Sequence, residues 1–364
     1  MAELFVCVLA LPLMVMLWWG LRHLPREEWQ ILAAVPQRKE TSSLWQGVNF
    51  TYYGAFLAGS LVLAVGIAYL LLATVALSDL EIVAMAVPLL LCGGGCSVLV
   101  AILVERQRHT FTVAGAIFVG LLLAPWLILL LQKFGVVRPI PVITVLAALG
   151  AAYALGEGVG RLACVSFGCC YGKPLSSLPQ WARQLLWRWA MVFNGDLKKA
   201  AYEGDLEGQP LVPVQGMTAL LFVTTGLGST LLFLKGHDTM AFLIVVSVTQ
   251  SWRVIAEFLR ADYRGGQYSR LSGYQIMALF AIPYGVLLAW IWGDAPPPQV
   301  DLTHGLRALW NPTVLLLLQM LGLAAFLFYG TSSVTESRIM LLSLIHISEP
   351  TRLLSISYAV FCLK

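Results

Sequence analysis

Residues 160–174 read Gly-Arg-Leu-Ala-Cys-Val-Ser-Phe-Gly-Cys-Cys-Tyr-Gly-Lys-Pro and close an apolar run that begins near Ile140. This stretch sets an arginine, three cysteines and a tyrosine between glycines, where a membrane helix would reach the interface. A charged side chain at membrane depth is costly and usually marks a functional site. Glycines there let backbone, lipid or a neighbouring helix approach closely. The stretch therefore predicts a site at the end of a membrane helix.

The composition around this stretch is that of an integral membrane protein. Hydrophobic residues make up 59% of the chain and charged residues only 12%, whereas soluble domains are about half apolar and about a quarter charged. Nine apolar runs are near the ~20 residues that a helix needs to cross the hydrocarbon. The sequence thus predicts an all-α, polytopic membrane helix bundle, with spans at 5–21, 50–76, 83–104, 112–132, 139–158, 214–234, 239–259, 272–293 and 312–330.

The polar breaks between these runs are short except for residues 173–211. Part of that stretch alternates aromatic or aliphatic residues with Arg183 and Arg188. Trp rings and Arg heads favour the membrane interface, so the pattern predicts an interfacial amphipathic helix near 178–194. A plain connecting loop with incidental aromatics is the alternative.

The chain divides into four segments on this pattern. Residues 1–49 are an extra N-terminal membrane helix and a connecting loop, 50–293 the membrane core, and 294–341 a C-terminal membrane helix. The first helix lacks a basic n-region and a small-residue cleavage site, so we expect it to be retained. Residues 342–364 resemble a translated sequencing-library adapter, although a natural amphipathic tail is the alternative. We give His346 and Cys362 no functional weight.

A second group of charges lies in the run at 239–259. Arg253 and Glu257 are four residues apart, so on a helix they share a face and can pair. Arg260 follows about one turn later. Charges inside an apolar helix are tolerable when they pair and face the bundle interior. The group indicates either a functional site or a structural salt bridge between helices.

Two further positions give weaker signals. Gln215 follows Pro213 at the start of a span, where a glutamine can be a ligand or can hold helices together. Tyr53 and Gly54 open the second span, where tyrosines are usually interfacial belt residues.

The cysteines are seven in number, and three of them, Cys164, Cys169 and Cys170, lie within the stretch at 160–174. Their spacing lacks a CxxC pair and has no accompanying histidine, so it favours a packing role over a zinc site. Metal binding and disulfide cycling are the alternatives. Cys92 and Cys96 flank three glycines in mid-span, which is typical of close helix packing.

Taken together, these segments resemble the prolipoprotein diacylglyceryl transferases. The family signature runs Gly-Arg-x-x-Asn-…-Gly-Glu-…-Gly, and a cysteine-rich version, Gly-Arg-x-x-Cys-…-Gly-Cys-Cys-Tyr-Gly, matches residues 160–172. The family also has an early Tyr-Gly, a Pro-x-Gln before a helix and a later Arg-x-x-x-Glu-x-x-Arg. This chain has them at Tyr53 and Gly54, at Pro213 and Gln215, and at Arg253, Glu257 and Arg260.

The resemblance implies a reaction and a location. Family members transfer a diacylglyceryl group from phosphatidylglycerol to a cysteine thiol of a lipoprotein precursor, without a metal or an organic cofactor. It implies a multi-pass protein of the bacterial inner membrane, whose partners are anionic phospholipid and a lipoprotein precursor, with no nucleic acid. Guanidinium groups suit a phosphate because they bind it with two parallel hydrogen bonds.

The resemblance also implies roles for individual residues. Arg161 would bind the headgroup phosphate, Arg253 the phosphate or the leaving group, and Glu257 would orient Arg253. Substrate-binding positions would be Tyr53, Gly54, Gly160, Cys164, Gly168, Cys169, Gly172, Gln215 and Arg260.

The chain departs from the family pattern in three respects. Val113 stands where the family has a histidine, and His109, four residues earlier, is the candidate to replace it in catalysis. Cys164 and Cys169 replace the signature Asn and Glu. The Lys and Arg distribution predicts a cytoplasmic signature face, whereas the resemblance implies an outward one. Two other functions therefore stay open: a non-catalytic lipid-binding or transport relative, and a membrane thiol-redox protein.

Overall fold

A computed structural model describes residues 1–28, 30–41, 44–105, 112–262, 267–268 and 271–340. The candidate catalytic residue His109 and the segment 342–364 lie outside the described residues.

The protein is an all-α, polytopic membrane helix bundle. Across the described ranges, nine helices are long and apolar enough to span a membrane. They are α1 (Ala2–His23), α2 (Tyr52–Thr74), α3 (Asp79–Glu105), α4 (Val113–Lys133), α5 (Val142–Phe167), α8 (Val214–Leu234), α9 (Asp238–Leu259), α10 (Gly273–Trp292) and α12 (Pro312–Gly330). Three short helices are α6 (Gln180–Leu186), α7 (Lys199–Tyr202) and α11 (Leu302–Leu309). Each of the nine predicted spans corresponds to one of the long helices.

Helix α5 forms the centre of the bundle. It packs against α2, α8 and α9, and 83% of the residues in its most apolar stretch are buried. Glycines permit these contacts: a Cβ at Gly156 would lie 2.6 Å from Cβ of Ala64, and one at Gly158 would lie 2.7 Å from Cγ2 of Val223. Small residues at helix contacts allow the close packing that holds membrane bundles together.

The C-terminal end of α5 extends beyond the predicted span of 139–158. The helix continues to Phe167, so Arg161 and Cys164 are helical. Gly168 ends it in the left-handed region at φ +71°, and the amide of Cys169 donates to the carbonyl of Cys164 at 3.1 Å. Glycine is the usual residue for such a helix end, because it has no Cβ to clash. The chain therefore turns about two helical turns after Arg161.

Two small sheets accompany the helices within the described residues. The first is antiparallel in the order β1-β2-β5, and the second pairs β3 with β4. The strands are β1 (Ile31–Lys39), β2 (Leu44–Thr51), β3 (Gln267–Tyr268), β4 (Leu271–Ser272) and β5 (Thr331–Met340). The segment after α1, expected as a connecting loop, is therefore a hairpin whose second strand pairs with the backbone that follows α12.

The predicted interfacial helix is shorter than 178–194. It comprises α6 and a single 3₁₀ turn, Trp187–Trp189. It ends there because Met191 pairs through its backbone with Leu211, which makes the chain extended. Trp181, Trp187 and Trp189 are all more than half exposed, as expected for rings that face a membrane interface.

Candidate functional site

A buried carboxylate joins the two arginines predicted from the sequence. Glu157 and Arg161 are one turn apart on α5, and Nη2 of Arg161 donates to Oε1 of Glu157. Nη2 of Arg253, on α9, donates to Oε2 of the same carboxylate. The Glu157 side chain is only 4% exposed. We call these three residues the Arg–Glu–Arg triad.

Tyr153 extends the triad by one helical turn. Its hydroxyl oxygen accepts a hydrogen bond from Nη2 of Arg253 at 3.1 Å. Its ring packs edge-on against Phe222 of α8, with 6.1 Å between ring centroids. The arginine of α9 is thus held by two side chains of α5.

The triad carries more positive charge and more donors than its own contacts use. Two guanidinium groups share one carboxylate. The Nε atoms of Arg161 and Arg253 are buried and have no hydrogen-bond partner among the described residues. A buried donor without a partner costs free energy, and an excess cation at membrane depth calls for an anion. The arrangement is chemically suited to bind an anionic group such as a phosphate.

The turn after α5, residues 168–174, lies beside the end of α9; we call it the signature turn. The amide of Lys173 donates to the carbonyl of Leu259 at 2.8 Å, and the amide of Ala261 donates to that of Tyr171 at 3.0 Å. Gly172 and Arg260 face each other in this short antiparallel pairing. The pairing brings Arg260, the third arginine predicted from the sequence, to the signature turn.

Arg260 is itself paired. Its Nε and Nη2 donate to the two carboxylate oxygens of Asp262 at 2.8 and 2.5 Å. This two-pronged geometry fixes the guanidinium plane. Arg260 therefore differs from the triad arginines, whose charge exceeds that of the one carboxylate between them.

The Pro-x-Gln segment packs directly onto the signature turn. Nε2 of Gln215 donates to the carbonyl of Cys169 at 2.9 Å, and the amide of Val212 donates to that of Lys173 at 2.9 Å. A Cβ on Gly172 would lie 2.2 Å from the carbonyl oxygen of Val212. Only glycine fits at this position without moving the backbone. Gln215 thus contacts the signature turn directly, and its binding of substrate stays a prediction.

The three cysteines of the signature come together. The Sγ atoms of Cys164, Cys169 and Cys170 all lie within 4.8 Å of one another, and all three are free thiols. Cys170 adopts a left-handed φ of +57°, which turns its side chain back to the cluster. Tyr53 lies within electrostatic range of all three thiols, and its ring contacts Phe167 edge-on. We call the three cysteines the thiol cluster.

Lys198 joins the last turns of α5 to the residue that follows α1. It is fully buried, and Nζ donates to the carbonyls of Ser166 at 2.6 Å and Leu24 at 2.9 Å. Burial lowers the pKa of Lys198 to about 8, because a charged ammonium loses hydration there.

Several glycines predicted to bind substrate make helix contacts. A Cβ at Gly54 would lie 2.1 Å from Cα of Gly330, so Gly54 lets α2 and α12 cross closely. A Cβ at Gly160 would lie 3.2 Å from Oγ of Ser60. Gly168 ends α5, as described above. Substrate binding by these three glycines stays a prediction.

The acid that the structure places against Arg253 is Glu157 of α5, whereas a role of Glu257 in orienting Arg253 stays a prediction. Although Glu257 shares a face with Arg253 by spacing, the guanidinium points across to the central helix. Glu157 and Tyr153 are not among the residues predicted from the sequence. The signal was present, since Glu157 lies four residues before Arg161 in an apolar run and the spacing rule applied to Arg253 fits it equally well.

Comparison with known proteins gives one informative similarity. No protein-family model matches the chain. The chain is 30% identical over 141 residues to a protein of Clostridium perfringens (strain 13 / Type A) named phosphatidylglycerol–prolipoprotein diacylglyceryl transferase 2. The match covers 37% of this chain and 46% of that relative, so the chain spans less than half of its length. The similarity agrees with a membrane transferase of this general kind.

Proposed function

We propose that the protein is a phospholipid-dependent transferase of the bacterial inner membrane. It moves a diacylglyceryl group from phosphatidylglycerol to a cysteine thiol of a prolipoprotein, or to another acceptor. The observation that carries the proposal is the pair of guanidinium groups that converge on Glu157 with unused Nε donors. The name of the Clostridium perfringens relative supports the same substrates.

The proposed reaction places the phosphate of the donor lipid beside the triad, whose two guanidinium groups exceed its single carboxylate by one positive charge. The acceptor sulfur forms a bond to the terminal glyceryl carbon while the bond from that carbon to the phosphate oxygen breaks. The thiol proton leaves to a base or to water, and glycerol phosphate departs as an anion. A fixed guanidinium stabilises this charge as it develops and needs no reorganisation at that moment.

The members of the triad have different tasks in this scheme. Arg161 and Arg253 bind the phosphate of the donor lipid through the donors that Glu157 leaves free. Glu157 lies between two cations, so it serves as an anchor that sets their separation and orientation. The proton acceptor is a separate group, and His109 stays the candidate from the sequence.

A second function is favoured by one observation. Val113, which stands where the family has its histidine, is the first residue of α4. Its side chain cannot transfer a proton. A relative that binds or transports anionic lipid without reacting with it would keep the arginines and could lack this histidine.

The two functions are separated by supplying donor and acceptor together. Purified protein is incubated with phosphatidylglycerol labelled in its headgroup and with a peptide that contains a lipoprotein acceptor cysteine. Release of labelled glycerol phosphate together with lipidation of the peptide supports the transferase. Saturable lipid binding without release supports the non-catalytic relative. Boiled protein, and an acceptor peptide with serine in place of cysteine, are the matched controls.

A further inference from the structure

The thiol cluster is assembled by the fold in a way that spacing along the sequence does not reveal. Cys164 lies on the last turn of α5, and Cys169 and Cys170 follow the left-handed residue Gly168. The amide of Cys169 returns to the carbonyl of Cys164 at 3.1 Å. Together with the left-handed Cys170, this reversal directs three thiols to one point.

The separation of the sulfur atoms is close to that of a metal–thiolate site. In such a site each sulfur lies ~2.3 Å from the metal, so neighbouring sulfurs are roughly 3.8–4.0 Å apart. The three Sγ atoms here lie within 4.8 Å of one another without any metal. Small side-chain rotations would therefore close the site, with the backbone already in place.

The donors and the surrounding charge indicate which kind of ion fits. The cluster offers three sulfurs, and thiolate ligands select soft metal ions such as Cu(I) and Zn(II). A structural zinc site normally has four protein ligands, whereas Cu(I) is satisfied by three. Arg260 and Arg161 both lie within electrostatic range of Cys170. Arg260 is paired with Asp262, but the Arg–Glu–Arg triad carries one positive charge in excess, which would offset part of the net negative charge of three thiolates around one monovalent ion.

We propose that Cys164, Cys169 and Cys170 form a binding site for a soft monovalent metal ion, Cu(I), held by three thiolates. Three S–Cu bonds form as the three thiols release their protons. The ion would tie the last turn of α5 to the signature turn. Since Gln215 already holds the carbonyl of Cys169, the metal would complete a brace around this turn. The site does not depend on the proposed transferase reaction.

The test begins with a variant in which the other four cysteines are serine: C7S, C92S, C96S and C362S. Cu(I) is added anaerobically in competition with a chromophoric Cu(I) chelator. We expect one Cu(I) per chain, and at least a tenfold loss of affinity when any one cluster cysteine is also changed to serine. Equal Cu(I) binding after all three are changed would overturn the proposal. So would binding of Zn(II) at this site without Cu(I).

A spectroscopic measurement keeps the proposal falsifiable if the cluster variants do not fold. X-ray absorption of the Cu(I)-loaded variant that retains only the thiol cluster should show three sulfur neighbours at about 2.3 Å. A first shell dominated by nitrogen or oxygen would contradict the site. Alkylation of the same protein should label all three cysteines without metal and protect them when Cu(I) is bound. Unchanged labelling would also contradict it.

Discussion

Arg253 of α9 donates a hydrogen bond to Glu157 of α5, across 96 positions of sequence. This contact joins α9 to the central helix, and it leaves Nε of Arg253 without a partner among the described residues. The centre of the site is thus Glu157 on α5, whose carboxylate accepts hydrogen bonds from two arginines.

The charge of Glu157 should matter more than its shape. We predict that Glu157→Gln lowers the free energy of unfolding by about 3–5 kcal/mol, the range expected when one partner of a buried ion pair is removed. Thermal unfolding in detergent measures this change. Glu3→Gln is the matched control, because Glu3 is 62% exposed and pairs with Lys235 at the surface. An exposed ion pair contributes little to stability, because water and salt screen its charges. Equal effects in the two variants would contradict a buried triad.

The close approach at Gly172 predicts a strict requirement for glycine. Gly172→Ala would push a methyl group into the backbone of Val212, and we expect a loss of about 1–3 kcal/mol of stability together with reduced lipid use. Gly120→Ala is the control, because a Cβ at Gly120 on α4 would contact nothing within 4 Å. The comparison uses thermal unfolding and the lipid assay. A Gly172→Ala protein as stable as Gly120→Ala would show that the signature turn is not packed as described.

Because Lys198 is buried, we predict that the stability of the folded protein depends on pH. Its pKa is about 8 in the folded protein, whereas an exposed lysine, as in the unfolded chain, has a pKa of 10.5. Between these values the unfolded chain binds more protons than the folded chain, so stability rises as pH increases from about 8 to 10.5. The expected gain is roughly 1–3 kcal/mol. Melting temperature is measured across this window for the wild type and for Lys198→Met, which cannot titrate. If both proteins show the same pH dependence, Lys198 is not the group responsible.

We predict that the thiol cluster supports activity through the structure of the signature turn rather than through chemistry of its own. Single changes of Cys164, Cys169 or Cys170 to serine should weaken lipid turnover without abolishing it, because the proposed reaction takes its nucleophile from the acceptor. Cys92→Ser, on α3 and away from the cluster, is the control. Complete loss of turnover in a cluster variant that still folds and binds lipid would instead indicate a covalent or redox role.

The membrane helix bundle could be predicted from the sequence, but the acid that pairs with Arg253 could not. Length and hydropathy are local properties, so the nine spans could be read from them. The contact between Glu157 and Arg253 depends on how α5 and α9 pack, and spacing within one helix suggested Glu257 instead. The antiparallel pairing of β2 with β5 is also non-local. Convergence of the three thiols depends on the left-handed conformations of Gly168 and Cys170, which the residue spacing does not specify.

The most direct test of the central claim is release of labelled glycerol phosphate from phosphatidylglycerol, in the presence of the acceptor peptide, by wild type, Arg161→Ala and Arg253→Lys. Lysine keeps the charge of Arg253 but loses the paired donors. We predict that each variant folds and that its turnover falls by about 10²-fold or more. Arg138→Lys is the control, since Arg138 pairs with Glu81 near the opposite end of α5 and should retain full turnover. Full activity of Arg253→Lys, or unchanged activity of Arg161→Ala, would contradict a phosphate site at the Arg–Glu–Arg triad.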